Sequence, residues 1–417
     1  MTPSALLETT PDTAAAAPPP EHWPPVQRAT QLDQVPATVQ ALCTRFAATA
    51  AERDLLGGTP QQQRDDIRHS GLLGLSIAQP LGGLGADWPQ VLQVVRQMGA
   101  ADSSVAHLFA FHHLMLATVQ LFGTAAQWQP WLAHTARRDW FWGNALNPLD
   151  RRTLCHQREG HVELSGKKSF CSGALDSEML IVSAFRADNG ALVVAAVPSA
   201  RSGITMLNDW DNIGQRQTDS GSVNFERLRV DNSELLLQPG PLSTPRSCLR
   251  PLLAQLILVN IYIGIAQGAF DQARRYTLEE ARPWLRAPAG RVADDPQVQA
   301  SFGEFLAALE AMRALGDRAN LAFGQAWSLG DALSEAGRGE VAMATAAAKV
   351  VATREGLALC NRLFDVTGAR STHAGLGLDR HWRNLRTHTL HDPVHYKLQE
   401  LGDWALNQRL PVPSFYS

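Results

Sequence analysis

Four groups able to move protons or bind metals crowd into RTHTLHDPVHYK, residues 386 to 397: His388, His391, Asp392 and His395. Imidazole titrates near neutrality and ligates metals, and a carboxylate beside it can orient it or act as a base. His391 and His395 stand four apart, a spacing that on one helix places two imidazoles on one face, as in zinc sites. Pro393 lies between them, and proline fits the first turn of a helix rather than its interior. The pattern therefore predicts a helix starting near Asp392 as its N-cap, with His391 in the approach ahead of it. No third protein ligand stands nearby, which argues against a metal. Two uses remain for His391: a proton donor whose pKa is set by burial and the positive helix end, or a buried histidine with its hydrogen bonds already made.

Two other stretches combine hydroxyl residues with aromatics, GKKSFCSG (166–173) and WDNIGQRQTDSGSVNF (210–225). On strand ends they could receive a flat heteroaromatic ring, with backbone groups bonding its edge. They could equally be two ordinary edge strands. GGLGAD (82–87) resembles a phosphate cradle but lacks the preceding strand and the spacing of a nucleotide fingerprint, so a plain loop is expected.

The elements that must position these groups fall into three regions. Residues 28–140 carry apolar residues at helical spacing, with Asp87 placed to cap a helix at Trp88. Residues 141–240 switch to strand patterning, and Asn189-Gly190 between two apolar runs signals a hairpin. Residues 241–417 return to long helices, broken by a loop at ARPWLRAPAGRVADDP, and residues 1–27, rich in Pro and Ala, form a disordered tail. The expectation is an α+β fold: an N-terminal helical domain, a central antiparallel β domain and a C-terminal helical bundle.

The 417 residues suffice for such a multi-part molecule, and 45% hydrophobic with 18% charged residues is ordinary for a large buried core. A net charge of -3 argues against a nucleic-acid partner. The five scattered cysteines fit neither a disulfide framework nor a zinc knuckle, and they suit a reducing cytosol. The apolar run LLAQLILVNIYIGIAQGAF (252–270) is nearly long enough to span a membrane. Gln255, Asn260 and Gln267 interrupt it, so a buried bundle helix is expected instead.

Taken together, PLGGLGADWP, GKKSFCSG, WDNIGQRQTDSGSVNF and TGARSTHAGLGLDRHWRNLRTHTLHDPVHYK resemble the acyl-CoA dehydrogenase superfamily. The match is best to its flavin-dependent monooxygenases, typified by dibenzothiophene monooxygenase, and covers nearly everything after the tail. The resemblance implies a cytoplasmic homotetramer, a dimer of dimers, that receives reduced FMN from a separate NAD(P)H-dependent flavin reductase. Oxygen would add at the flavin C4a, and the hydroperoxide would oxygenate the sulfur of an organosulfur compound, a sulfide or sulfoxide, in sulfur acquisition or desulfurisation. Neither a metal, a membrane nor nucleic acid enters that chemistry.

The same resemblance assigns roles. Asn144, Lys168, Ser169, Phe170, Cys171 and Ser172 would line the isoalloxazine, with Ser172 bonding near N5 or the peroxide and Trp210 packed on the ring. Arg282, with Ala369 and Arg370, would hold the FMN phosphate across a subunit boundary. His391 would stand beside the reacting oxygen with His388 in support, and His107, Phe111, His112 and Trp210 would line the substrate pocket. Trp140, Phe141 and Trp142, with Phe170 and Trp210, suit the dry aromatic enclosure such chemistry needs. Phe111 replaces a tyrosine of dibenzothiophene monooxygenase, and the lid ALNPLDRRTLCHQREG differs, so a smaller organosulfur substrate is as well suited as a tricyclic one. The rivals are an FAD-dependent acyl-CoA dehydrogenase, for which Asp392 aligns with the base but Pro393 replaces a glycine, a hydroxylase of nitrogen or phenols, and a non-catalytic flavin-binding scaffold.

Overall fold

The computed structural model describes residues 23–288 and 290–417, so the expected tail lies, as far as residue 22, outside the described residues. Five helices come first: α1 (Val35–Leu56), α2 (Gln61–His69), α3 (Trp88–Ala101), α4 (Ser103–Phe122) and α5 (Ala125–Arg138). Local chemistry fixes their starts. Asp87 accepts from Gln90 N at 2.9 Å while Gln90 Oε1 accepts from Asp87 N at 3.0 Å, a reciprocal cap at the expected position. Asp102 caps α4 by accepting from Ser104 N and Val105 N. GGLGAD is a loop, as its pattern predicts.

Seven strands follow: β1 (Trp142–Ala145), β2 (Leu154–Gln157), β3 (His161–Lys168), β4 (Met179–Arg186), β5 (Leu192–Pro198), β6 (Ile204–Met206) and β7 (Val223–Asp231). The expected antiparallel pairing holds for β2–β3, β3–β7, β4–β5 and β6–β7. Elsewhere the sheet is mixed, because β1 and β2 both lie parallel to β4 along its edge opposite β5. The Asn189-Gly190 hairpin joins β4 to β5, with Gly190 at φ 72°. GKKSFCSG is only half strand: β3 stops at Lys168, and Ser169–Gly173 form a loop in which Phe170 takes φ 61°.

The C-terminal bundle comprises α6 (Leu249–Glu279), α7 (Pro296–Ser328), α8 (Glu335–Thr367), α9 (Asp379–Thr389) and α10 (Val394–Asn407). The apolar run falls inside α6, which is buried along nearly all of its first two thirds. Each polar interruption has a partner. Gln255 meets Asp392, Asn260 bonds both Arg96 and Asn320, and Gln267 reaches Asp271. Helix α3 packs on α6 backbone to backbone: a Cβ at Gly268 would fall 2.3 Å from Ala100 O, so only glycine fits.

Arg64 of α2 ties the first helices to the sheet. Fully buried, it bonds Asp219 Oδ2 at 3.0 Å and Gly173 O at 3.2 Å, and its guanidinium lies 4.3 Å from the Phe141 ring centroid. Removing one partner of a buried pair strands the other charge. An Arg64→Leu variant is therefore expected to lose about 3–5 kcal/mol of stability in urea unfolding. A loss below about 1 kcal/mol would show that the pair carries little.

Candidate active site

Helix α4 and the loop after β3 meet at the centre of the site. His107 and Phe111 are one turn apart on α4 and stack at 3.9 Å between ring centroids. His107 Nε2 lies 2.9 Å from Ser172 Oγ, and a chain of hydroxyls continues through Ser220 (2.8 Å) to Thr218 (2.7 Å). The backbone N–H of Asn144 on β1 donates to Ser172 O at 3.0 Å, and its side chain accepts from Leu146 N. The ring of His388, near the end of α9, comes within 4.9 Å of His107.

Burial sets the charge state of this cluster. Desolvation pushes the His107 imidazole down to about 3, and His388 falls well below its usual range for the same reason, with His107 and His391 adding repulsion. Both rings are neutral at physiological pH. His107 Nδ1 and both nitrogens of His388 are buried with no partner among the described residues. Neutral imidazoles with uncommitted nitrogens beside a hydroxyl chain can donate and accept hydrogen bonds to a polar ring edge or an oxygen.

Phe170 is 60% exposed and presents its edge to Trp210 at 5.9 Å. Trp210 Nε1 donates to Gln215 O at 2.8 Å, which holds the indole in place. A large aromatic held at positive φ in the open is costly, and such strain gathers where a ligand is bound. Ser169 faces Arg152 (2.8 Å) rather than the cluster. The Cys171 thiol is buried and pushed up to about 12 by desolvation, so it is inert.

Lys168 is buried beneath the loop that follows β1. Its ammonium donates to the main-chain carbonyls of Asn147 (3.1 Å) and Asp150, and burial lowers it to about 8. It clamps the loop after β1 and leaves the lining to its neighbours.

The histidine-rich segment corrects the sequence pattern. Helix α10 starts at Val394 with Pro393 as N-cap, and Asp392 caps nothing. The Asp392 carboxylate instead accepts from Lys349 of α8, from Gln255 Nε2 at 3.3 Å and from His391 Nδ1 at 3.0 Å. Burial alone would raise this carboxyl; the His391 bond and the Lys349 charge overcome it and hold the group below the usual carboxylate range. The His391 ring is thus supported by Asp392, while the His388 side chain faces His107. His395 packs on Tyr396 at 4.3 Å and does not converge with His391. The C-terminal stretch folds back so that the Tyr416 ring lies 5.8 Å from His391, and Lys397 Nζ donates to Tyr416 O at 2.5 Å.

Other expectations change as well. His112 is fully buried with both nitrogens committed, since Nε2 bonds Leu73 O at 2.9 Å and Nδ1 accepts from Trp142 N at 3.1 Å. Phe141 and Trp142 belong to the core beneath α4, as the His107 partner Phe111 does, and Trp140 stacks on His134, which leaves Phe170 and Trp210 as the accessible aromatic pair. Arg282 and Arg370 are exposed on segments leaving α6 and α8, beside Ala369. Thr277 donates to Val366 O at 3.2 Å, so these segments share one end of the bundle. Tyr262, whose hydroxyl donates to His388 O at 2.8 Å, lies near the middle of α6. The fifteen residues of α6 between Tyr262 and Thr277 span roughly 22 Å, so the end of α6 that leads to Arg282 is set apart along the helix from the level of His388.

Residues 30–139 match the family model for the acyl-CoA dehydrogenase N-terminal domain, and residues 256–396 match that for an acyl-CoA dehydrogenase C-terminal domain. The chain is 59% identical over 382 residues to the probable FMNH2-dependent monooxygenase SfnC of Pseudomonas putida, covering 91% of this chain and 97% of that protein. It is 40% identical over 396 residues to dibenzothiophene monooxygenase of Rhodococcus erythropolis, covering 91% and 95% respectively. Methanesulfinate monooxygenase MsuC of Pseudomonas fluorescens superposes with a TM-score of 0.91 at 62% identity over 91% of this chain and 99% of that one. FMN-bound TdsC of Paenibacillus sp. A11-2 superposes with a TM-score of 0.87 at 39% identity, covering 91% and 98%.

Proposed function

The chain belongs to the acyl-CoA dehydrogenase family, and we propose that it acts there as an FMNH2-dependent monooxygenase that places one oxygen on the sulfur of a small organosulfur anion, an alkanesulfinate. The observation that carries this reading is the neutral His107–Ser172–His388 cluster, with uncommitted nitrogens and Phe111 stacked on His107. The residues present fit the isoalloxazine of FMN. The exposed Phe170 edge and Trp210 offer it a face, while Ser172, His107 and His388 offer hydrogen bonds to its polar edge.

Reduced FMN, when bound there, would supply two electrons and, with O2, the oxygen to be transferred. The net change is FMNH2 + O2 + RSO2− → FMN + RSO3− + H2O, with one oxygen atom on sulfur and the other in water. Sulfinate sulfur carries its own lone pair and needs no base to create it. The protein's part is to keep water out, to orient the sulfur and to hold the moving proton. The dehydrogenase reading loses its base, because Asp392 is engaged by Lys349, Gln255 and His391 at once. For the phosphate end we assign Arg282 and Arg370 to the FMN of a neighbouring copy, a reading supported by their exposure on segments set apart along α6 from His388. This fits the homotetramer and separate reductase expected for such an enzyme.

Arg250 favours an anion. This α6 residue is buried, forms no ion pair among the described residues, and bonds only Thr118 Oγ1, at 3.3 Å. Burial lowers it to about 10, still fully cationic at neutral pH. Its charge is felt by the Tyr416 phenol, next to His391. An uncompensated buried guanidinium draws an anion toward it.

The test supplies the chain with a flavin reductase, NADH, FMN and oxygen, and offers methanesulfinate and dibenzothiophene in turn. Methanesulfonate should form faster than any sulfoxide. Arg250→Leu should raise KM for the sulfinate by about tenfold or more, corresponding to about 1.4 kcal/mol, and leave neutral sulfides unaffected. If neither compound gains oxygen, the reading fails.

A further inference from the structure

One carboxylate oxygen is the meeting point of three donors. Lys349 Nζ from α8 and Gln255 Nε2 from α6 reach Asp392 Oδ1 from within the bundle, and His391 Nδ1 reaches it from the other side at 3.0 Å. Lys349 also donates to Gln255 Oε1. It sits in the run TAAAKVVAT, among small and apolar residues, and is almost wholly buried. A buried ammonium is costly unless paired, and its one ion-pair partner among the described residues is Asp392.

We propose that Lys349 and Asp392 are positioning residues for His391: the buried pair holds the imidazole in its Nδ1–H form and leaves Nε2 as the ring's open proton acceptor. The proposal rests on the monooxygenase reading and deepens it. An ionised carboxylate only accepts hydrogen bonds, so the imidazole must carry hydrogen on Nδ1. With that nitrogen committed, the Nδ1–H tautomer offers its lone pair at Nε2, which makes no hydrogen bond among the described residues.

Lys349 decides what happens next. A lone carboxylate would be a stranded buried charge, and the ammonium makes the pair neutral overall and fixes the carboxylate in place. Asp392 thereby orients the ring as part of a neutral, anchored pair. The sequence pattern suggests a donor at His391; the hydrogen bonding makes it an acceptor first and a donor second. In the balanced reaction the proton that accompanies the transferred oxygen is taken up at Nε2. It is then returned to the second oxygen atom, which leaves as water. His391 itself is neither oxidised nor reduced.

The other groups around the pair leave this arrangement free. Tyr262 of α6 donates to the His388 carbonyl, and Lys397 of α10 is paired with Glu400 at 3.0 Å. His388 faces His107, and Tyr416 lies against the far side of His391. None of them hydrogen-bonds the Asp392 carboxylate.

The test uses full-length protein labelled with 15N-histidine and free of flavin, with the His391 signal identified by its loss in His391→Gln. Wild type should show Nδ1 protonated and Nε2 bare at pH 8. The double variant Lys349→Met with Asp392→Asn removes both buried charges together, which spares the fold the cost of a stranded one. Its His391 should become a mixture of tautomers while the unfolding midpoint stays put. Product formed per FMNH2 consumed should fall by about 10²-fold, with KM for the sulfinate unchanged. Asp392→Asn alone, with Lys349 retained, serves if the double variant does not fold, and should shift the same signal. An unaltered tautomer in a folded variant overturns the proposal. Failure of the wild type to oxygenate any sulfur compound would overturn the monooxygenase reading alone, since the tautomer is measured without turnover.

Discussion

A His391→Ala variant is expected to keep consuming reduced flavin and oxygen while sulfur oxygenation falls by about 10²-fold, the loss typical of removing a positioned proton-transfer group. The missing product should reappear as hydrogen peroxide, because the oxygen that fails to reach sulfur is still reduced. The fold should barely notice. The His391 side chain is 39% exposed and makes one side-chain hydrogen bond among the described residues, and without it Asp392 keeps Lys349 and Gln255. The stability change should stay within about 1 kcal/mol. Measuring product, oxygen uptake and peroxide in one reaction decides the matter. An unchanged ratio of product to oxygen would take His391 out of the reaction.

Steep acid unfolding is the second large effect. Burial lowers the pKa of five histidines, His107 and His112 to about 3, and His113, His381 and His388 well below their usual range. Each folded pKa lies below the unfolded value near 6.5, so the folded chain binds fewer protons than the unfolded one. Their contribution is complete above pH 6.5 and drains away as the pH falls toward the folded values. Each group costs about 1.4 kcal/mol per pH unit over that span, so the five together cost about 7 kcal/mol per unit. Against an ordinary stability of about 5–15 kcal/mol, unfolding should come within about two units below pH 6.5. Urea denaturation between pH 8 and 5 checks this, and a flat profile would mean that water reaches these rings.

The order of helical, β and helical regions could be read from the chain because periodicity is a local property. So could the Asp87 cap, the hairpin at Asn189-Gly190 and the position of His391 ahead of a helix. The partners of Asp392 could not. Lys349 stands 43 positions earlier in sequence, and no spacing rule links it to a loop beyond α9. The one available signal was a lone lysine inside TAAAKVVAT, a charge that such surroundings tolerate only with a buried counterion. His112 was misplaced because adjacency along the chain is not adjacency on a helix. His107 and Phe111 share a face, and the next residue lies about 100° further round. Trp140, Phe141 and Trp142 failed for another reason: composition does not distinguish an aromatic that fills a core from one that lines a pocket.

The Lys168 clamp bears on how the substrate range of this fold can change. Its ammonium grips the loop after β1 through the main-chain carbonyls of Asn147 and Asp150, atoms that every amino acid supplies. That loop's anchorage is therefore largely indifferent to the side chains at Leu146, Pro148 and Leu149. Those positions can drift in evolution, or be randomised in a directed search for new sulfur substrates, without unfastening the loop that carries them.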